Sequence, residues 1–104
     1  MARVPIHPGE ILAEELAELG MSAAQLARAI HVPPNRTSQI LAGKRSISAD
    51  TALRLGKWFG TGPELWLNLQ KAYELDVALR DAGVEIDRII PLQRPAPQVA
   101  PARA

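Results

Sequence analysis

The sequence has 104 residues, of which 47% are apolar, and its formal net charge is +1. This length fits one domain, with or without a tail, and the apolar content excludes a chain that is disordered throughout. The absence of cysteine excludes a disulfide scaffold and a thiolate zinc site. No apolar run approaches the roughly 20 residues that cross a bilayer, and the first seven residues contain no signal-like apolar stretch. We therefore expect a soluble cytoplasmic protein with no membrane partner.

The first half of the chain carries the start and stop signals of two short helices. Pro8 suits the opening of the first helix, and Gly20 is a natural stop for it. Ser22 then begins the capping-box pattern Ser-Ala-Ala-Gln, and the helix that follows must end before Pro33. Apolar residues recur at the spacing of one buried helical face. The predicted inward residues are Ile11, Leu12, Leu16, Leu19, Ala23, Leu26, Ala27 and Ile30.

Three further helices follow. Pro34 suits the first turn of a third helix, Ser48 caps a fourth, and Thr61 caps a fifth. We expect the fifth helix to be long and to end just before Gly83. The fold class predicted is all-α, with five helices. The inward residues predicted for the fourth helix are Ala52, Leu53, Leu55 and Phe59.

The end of the chain is predicted to be extended. Residues 84–87 alternate apolar and charged side chains, which is typical of a short strand. A single strand is not stable in water, so a second copy of the chain would have to pair with it. The alternative is an extended arm packed on the helices. We therefore divide the chain into a domain at residues 1–83, an extended segment at 84–93, and a mobile Pro/Ala-rich tail at 94–104.

Charge is strongly segregated along the sequence. Residues 1–20 sum to −3 and residues 50–90 to −2, whereas residues 21–49 sum to +4 and contain no acidic residue. The near-neutral total would argue against nucleic acid as a partner, but a purely basic stretch is typical of a surface that binds it. Chance segregation is the alternative.

The basic stretch contains two short helices joined by a short turn, over about residues 22–42. This is the layout of a helix-turn-helix, whose second helix enters the major groove of DNA. On that second helix Thr37, Ile40 and Leu41 share the face toward the core. The remaining surface is polar and free of acid. We predict that it reads bases through Asn35, Arg36, Ser38 and Gln39.

The residue types on this surface suit double-stranded DNA. Asn and Gln pair bidentately with adenine, and Arg pairs with guanine. Lys44 and Arg45 follow the helix, where a loop can lie along the phosphate backbone. The backbone N–H groups near Ser22 and Ala23 can clamp another phosphate. Two such helices about 34 Å apart would read both halves of a palindrome, so we also expect a homodimer.

Catalytic chemistry is not predicted. His7 and His31 are the only histidines, and they lie in different segments. We expect His7 to help the first helix begin and His31 to stand at the end of the second helix. No metal-ligand cluster, glycine-rich phosphate loop or paired-carboxylate pocket is apparent. We therefore predict no enzymatic activity, no metal and no cofactor.

Six motifs stand in order along the sequence: HPGEIL at 7–12, SAAQLA at 22–27, VPPNR at 32–36, ILAGKR at 40–45, ISADTALRL at 47–55 and ELWLNLQ at 64–70. In these motifs the chain resembles the HigA-type antitoxins, which are plasmid-maintenance antidote proteins with a lambda-repressor-like domain. The resemblance covers about residues 5–80. Relatives commonly have glycine where His31 stands, and glycine is favoured there if the backbone is left-handed.

The resemblance implies a homodimer that represses its own operon and a partner toxin of the HigB type, with a RelE-like mRNA-cleaving fold. The fifth helix carries more apolar residues than one buried stripe needs, which indicates an interface with a second copy or with the toxin. The leading hypothesis is therefore an operator-binding antitoxin of a type II toxin–antitoxin module. The alternatives are a stand-alone repressor without a toxin and a toxin-binding module that does not read DNA.

Overall fold

The computed structural model describes residues 3–94 and contains five α-helices in that range. They are α1 (Pro8–Leu19), α2 (Ala23–Ile30), α3 (Pro34–Leu41), α4 (Ala49–Phe59) and α5 (Glu64–Asp87). No strand occurs in residues 3–94, so the predicted all-α class with five helices is confirmed. Apart from its first residue, the predicted tail at 94–104 lies outside the described residues. None of the described helices is long and apolar enough to cross a membrane.

Reciprocal side-chain caps start α1 and α2. His7 Nδ1 accepts the backbone N–H of Gly9 at 2.9 Å, and Glu10 accepts the N–H of His7 at 3.2 Å. Ser22 and Gln25 exchange the same pair of hydrogen bonds at the start of α2. Each cap satisfies backbone N–H groups that the first helical turn leaves without partners. The predicted helix starts at His7–Pro8 and at Ser22 are therefore confirmed.

The core lies where the five helices meet, and its buried residues come from all of them and from the connecting segments at Val32 and Ile47. α2 packs mainly on α3, α4 packs on α5, and α1 lies against both α3 and α5. Trp66 is the largest fully buried side chain, with 1% of its surface exposed. Its neighbours in the buried cluster are Leu12, Leu16, Leu26, Ala27, Ile30, Val32, Ile40, Ile47, Ala52 and Leu55.

Two residues predicted to point inward do not. Leu53 is 59% exposed and Leu19 is 53% exposed. The buried stripe of α4 consists of Thr51, Ala52, Leu55 and Gly56. Because each helical residue is rotated by about 100° from the last, Leu53 lies beyond the edge of that stripe.

The prediction for the end of the chain is wrong at residues 84–87. α5 continues through Gly83 without interruption to Asp87, so these residues are helical and not a strand. An internal glycine costs a helix only about 1 kcal/mol relative to alanine, which the preceding turns of α5 outweigh. A four-residue alternation is also too short to distinguish a strand from a helix. After Arg88 the described chain, to residue 94, has no regular secondary structure.

The start of α5 also differs from the prediction. The helix begins at Glu64, after Pro63, and no side chain caps it. Thr61 Oγ1 donates to the carbonyl oxygen of Gly62 at 3.1 Å, so Thr61 belongs to the turn before the helix and is not its cap.

Candidate nucleic-acid interface

α2, the turn after it and α3 form a helix-turn-helix. His31 ends α2 with φ 61° and ψ 50°, and it is the one non-glycine residue with positive φ between residues 3 and 94. The backbone N–H of Val32 then donates to Ala27 O at 3.0 Å, and the Val32 side chain turns into the core. The backbone at residue 31 is therefore left-handed, in the conformation that favours glycine. Histidine occupies it at a steric cost.

The inner face of α3 is anchored as predicted. Thr37 and Ile40 are 1% and 0% exposed, and Leu41 packs partly against the core. Thr37 Oγ1 lies 2.9 Å from the carbonyl oxygen of Ala23, so α3 is joined directly to the first residue of α2. This contact fixes the start of α2 beside α3 and determines which side chains of α3 face away from the protein.

The predicted base-reading residues occupy different environments. Asn35 and Ser38 are exposed on the outer face of α3, and Gln39 is half-exposed beside them. Gln39 Oε1 accepts a hydrogen bond from Arg45 Nε at 2.8 Å, which brings a predicted base reader and a predicted phosphate contact together. Arg36 is half-buried, and its guanidinium is engaged with another side chain.

The predicted phosphate contacts lie in the loop after α3 and at the start of α2. Lys44 and Arg45 are exposed in the loop after α3. Ala23 is the first residue of α2, where helix geometry leaves the backbone N–H without an intrahelical partner. The N–H of Ser22 is already donated to Gln25 Oε1 at 2.8 Å, so a phosphate at this helix end would depend on the N–H groups beyond it.

Sequence reasoning missed two residues of this region, Asp50 and Arg54. Asp50 Oδ2 accepts Arg36 Nη1 at 2.6 Å and Arg54 Nε at 2.9 Å. The hydrogen bond from Arg54, which has the larger effect, and that from Arg36 lower the pKa of the Asp50 carboxyl below its ordinary value. The spacing of Asp50 and Arg54 on α4 was a detectable signal for a helical ion pair. Nothing in the sequence indicated that Arg36 would join it.

Arg54 also closes the turn between α2 and α3. Its Nη1 donates to the carbonyl oxygens of Ile30 and His31, each at 3.0 Å. These carbonyls lie at the C-terminal end of α2, where the helix supplies no N–H partner and where positive charge is favoured. α4 is therefore connected to the helix-turn-helix by a side chain as well as by packing.

Asp50 adds a negative charge to the basic surface formed by the helix-turn-helix. Residues 21–49 contain no acidic side chain, but the next residue folds back onto Arg36. One of the basic groups predicted to face DNA is therefore paired with a carboxylate in the free protein.

A further contact that sequence reasoning missed, this one buried, holds the loop that carries Lys44 and Arg45. Gln70 of α5 is 6% exposed, and its Oε1 accepts the backbone N–H of Ile47 at 2.8 Å. Its Nε2 donates to Glu74 Oε2 at 2.8 Å. Both polar ends of the buried amide are thus satisfied, and the loop is fixed to α5.

The two histidines have structural roles. His7 caps α1, is 8% exposed and packs edge-on against Tyr73 with 4.9 Å between ring centroids. His31 forms the end of α2. Among residues 3–94, no group of three or more His, Asp or Glu side chains is placed to hold a metal ion.

Comparison with known proteins gives relatives that cover most of the chain. A family model described as Helix-turn-helix matches residues 12–66. Virulence-associated protein I of Dichelobacter nodosus is 50% identical over 95 residues, covering 90% of this chain and 87% of that protein.

Solved structures of HigA proteins superimpose closely on this chain. An addiction module antidote protein of the HigA family from Coxiella burnetii has a TM-score of 0.84 and 58% identity, covering 86% of this chain and 100% of that one. The Pseudomonas aeruginosa antitoxin HigA, solved with the higBA promoter, has a TM-score of 0.82 and 46% identity over the same shares. The chain therefore belongs to the helix-turn-helix family, and its structural neighbours within that family are HigA-type antitoxins.

Proposed function

We propose that this protein is the antitoxin of a type II toxin–antitoxin module. As a homodimer in the cytoplasm it binds a palindromic operator, represses its own operon, and neutralises a HigB-type toxin with a RelE-like mRNA-cleaving fold. It has no enzymatic activity and needs no cofactor. The observation that carries the proposal is the outer face of α3, where exposed Asn35 and Ser38 adjoin Gln39 and the basic loop at Lys44 and Arg45.

The chemistry of this face supports operator binding. Asn35, Ser38 and Gln39 offer hydrogen-bonding groups that read base edges in the major groove. Lys44 and Arg45 supply phosphate contacts, which set affinity and register but carry no sequence information. The Pseudomonas aeruginosa relative was solved with its promoter DNA, which supports the same role for this chain.

The exposed apolar surface of α5 and the segment after it supports a protein partner. Apolar side chains are exposed along the second half of the helix and continue beyond it. They are Leu75, Leu79, Val84, Ile86, Ile89, Ile90 and Leu92. Several large apolar side chains exposed on one part of the chain are typical of a protein–protein interface. We assign it to the second copy of the chain, which a palindromic operator requires.

The test of operator binding uses gel shifts on the DNA upstream of the gene. Replacing Arg36 and Gln39 together by alanine is expected to abolish preference for the operator over a scrambled duplex. Lys44→Ala is expected to weaken binding to both duplexes alike and to lower the salt slope by about 1. Lys71→Ala, an exposed lysine of α5, is the charge-matched control and is expected to leave both affinities unchanged.

The test of the antitoxin role uses co-expression with the neighbouring reading frame. A small basic protein that co-purifies with this chain, and whose toxicity this chain suppresses, is the expected result. Operator binding without such a partner would indicate a stand-alone repressor. Toxin binding without salt-dependent DNA affinity would indicate an interaction module that does not read DNA.

A further inference from the structure

We propose that Asp50 and Arg54 are positioning residues that determine DNA specificity through Arg36. They hold the Arg36 guanidinium in a fixed orientation at the start of the recognition helix, and Asp50 prevents Arg36 from binding any phosphate indiscriminately. This inference rests on the proposed operator-binding function and assigns a role to two residues of α4 outside the helix-turn-helix itself.

A single carboxylate oxygen joins the two arginines. Asp50 Oδ2 accepts Arg36 Nη1 at 2.6 Å and Arg54 Nε at 2.9 Å. The Arg36 side chain is 28% exposed and that of Asp50 is 55% exposed, so the pair lies at the protein surface, where DNA can reach it. A guanidinium has five N–H donors in a fixed fork, so Arg36 keeps donors for a base after one is given to Asp50.

The orientation of Arg36 is tied to the turn of the motif. Arg54, which shares Asp50 Oδ2 with Arg36, also donates to Ile30 O and His31 O at 3.0 Å. The end of α2, the first turn of α3 and the start of α4 are therefore connected through three side chains, Arg54, Asp50 and Arg36. An arginine side chain loses conformational entropy when it is immobilised. Because Asp50 already restrains Arg36 in the free protein, less entropy is lost when Arg36 binds DNA.

The negative charge of Asp50 affects how well the protein distinguishes the operator from other DNA sequences. A free arginine on this surface would bind any phosphate, which raises affinity for all sequences equally. Because Arg36 and Arg54 share Asp50, the three side chains carry one net positive charge instead of two, and the carboxylate weakens the attraction of this surface for any phosphate. A base edge that matches the held fork of Arg36 gains hydrogen bonds that a phosphate alone does not provide. An aspartate carboxyl is ionised at neutral pH, and the hydrogen bonds from Arg54 and Arg36 lower the pKa of Asp50 further, so the pairing persists under the conditions of binding.

The experiment compares Asp50→Asn with the unchanged protein. Asparagine keeps the size of the side chain and an acceptor but removes its charge. Affinities for an operator duplex and for a scrambled duplex of equal length are measured over a series of salt concentrations. We expect affinity for the scrambled duplex to rise by about 3- to 10-fold. The slope of its salt dependence is expected to steepen by about 1, because the released Arg36 can then neutralise one more phosphate. The operator-to-scrambled ratio is expected to fall by about 10-fold.

A double-mutant cycle shows whether Asp50 acts through Arg36. In the Arg36→Ala background, Asp50→Asn is expected to leave the operator-to-scrambled ratio unchanged. Arg36→Lys provides a second variant that keeps the positive charge without the fork. It is expected to lower operator affinity and to leave affinity for the scrambled duplex within about 2-fold. Asp81→Asn, at an exposed position of α5, is the control for the loss of one negative charge. It is expected to leave the operator-to-scrambled ratio unchanged.

Three results would overturn the inference. An unchanged ratio in a folded Asp50→Asn protein would show that Asp50 does not contribute to discrimination. An equal fall of the ratio with and without Arg36 would show that it does not act through that arginine. A protein that, unaltered, does not distinguish the two duplexes would refute operator binding itself, whereas the first two outcomes leave operator binding intact.

Discussion

The side-chain oxygen of Gln70 accepts the backbone N–H of Ile47 at a distance of 2.8 Å, across 23 residues of sequence. Ile47 is 2% exposed, so its N–H has no access to water as a substitute acceptor. This contact attaches the loop that carries Lys44 and Arg45 to the longest helix. The basic loop is therefore held by the buried part of α5.

Removing this acceptor is expected to destabilise the fold. Gln70→Leu leaves the Ile47 N–H buried without a partner, which costs about 1–3 kcal/mol of the free energy of unfolding. Urea denaturation measures the loss. Asn68→Leu, an exposed change on the same helix, is the control and is expected to shift stability by less than about 0.5 kcal/mol. Equal effects of the two substitutions would contradict the role assigned to Gln70.

Gly9 is required by the close approach of α1 to the recognition helix. A Cβ at residue 9 would overlap the carbonyl oxygen of Ile40 and lie 3.0 Å from His7 Nδ1. Gly9→Ala is therefore expected to lower the free energy of unfolding by about 1–3 kcal/mol, as overpacking does. Thermal unfolding followed by circular dichroism measures this. Unaltered stability would show that α1 and α3 are farther apart than the structure places them.

Gly83→Ala, unlike Gly9→Ala, is expected to raise the free energy of unfolding. A Cβ at residue 83 meets no atom within 4 Å, and the residue lies inside α5. Alanine is better than glycine within a helix by about 1 kcal/mol, so the variant should be more stable by up to that amount. If the helix ended before residue 83, the same substitution would bring no gain and no additional helical circular dichroism.

His31→Gly is expected to stabilise the protein. The left-handed backbone at residue 31 costs an L-residue about 1–2 kcal/mol, and the greater freedom of glycine in the unfolded chain offsets part of that. A net gain of about 0.5–1 kcal/mol in the free energy of unfolding is expected. His31→Val, with a branched side chain, is expected to destabilise. If His31→Gly lowered the free energy of unfolding, contacts of the imidazole would stabilise the fold by more than the left-handed backbone at residue 31 destabilises it.

The pH dependence of the Asp50 contacts follows from the direction of its pKa shift. The folded-state pKa is lowered, so the stability that these contacts contribute is present above the ordinary carboxyl pKa and is lost as pH falls through the folded value. The difference in melting temperature between the unchanged protein and Asp50→Asn should be constant from pH 8 to pH 5. It should shrink only below about pH 4. A difference that changes between pH 6 and 8 would implicate another titrating group.

The local sequence was sufficient for the features that depend on neighbours within one helical turn. The His7 and Ser22 caps and the buried Thr37–Ile40 face of α3 were all predictable, because capping and helical periodicity act over three or four residues. The same local rules located the helix-turn-helix and its polar outer face, and thereby the surface proposed to read DNA.

The features that the sequence did not reveal depend on residues that only folding brings together. Arg36 meets Asp50 across 14 residues, and Arg54 reaches Ile30 across 24. No periodicity or spacing rule pairs side chains so far apart. The continuation of α5 through Gly83 was decided by the helix as a whole and not by the four residues that alternate like a strand. The small net charge of the whole sequence conceals a basic stretch at residues 21–49, which local sequence is sufficient to identify. Tertiary structure placed Asp50 on that surface, because folding brings the first turn of α4 within reach of the Arg36 side chain.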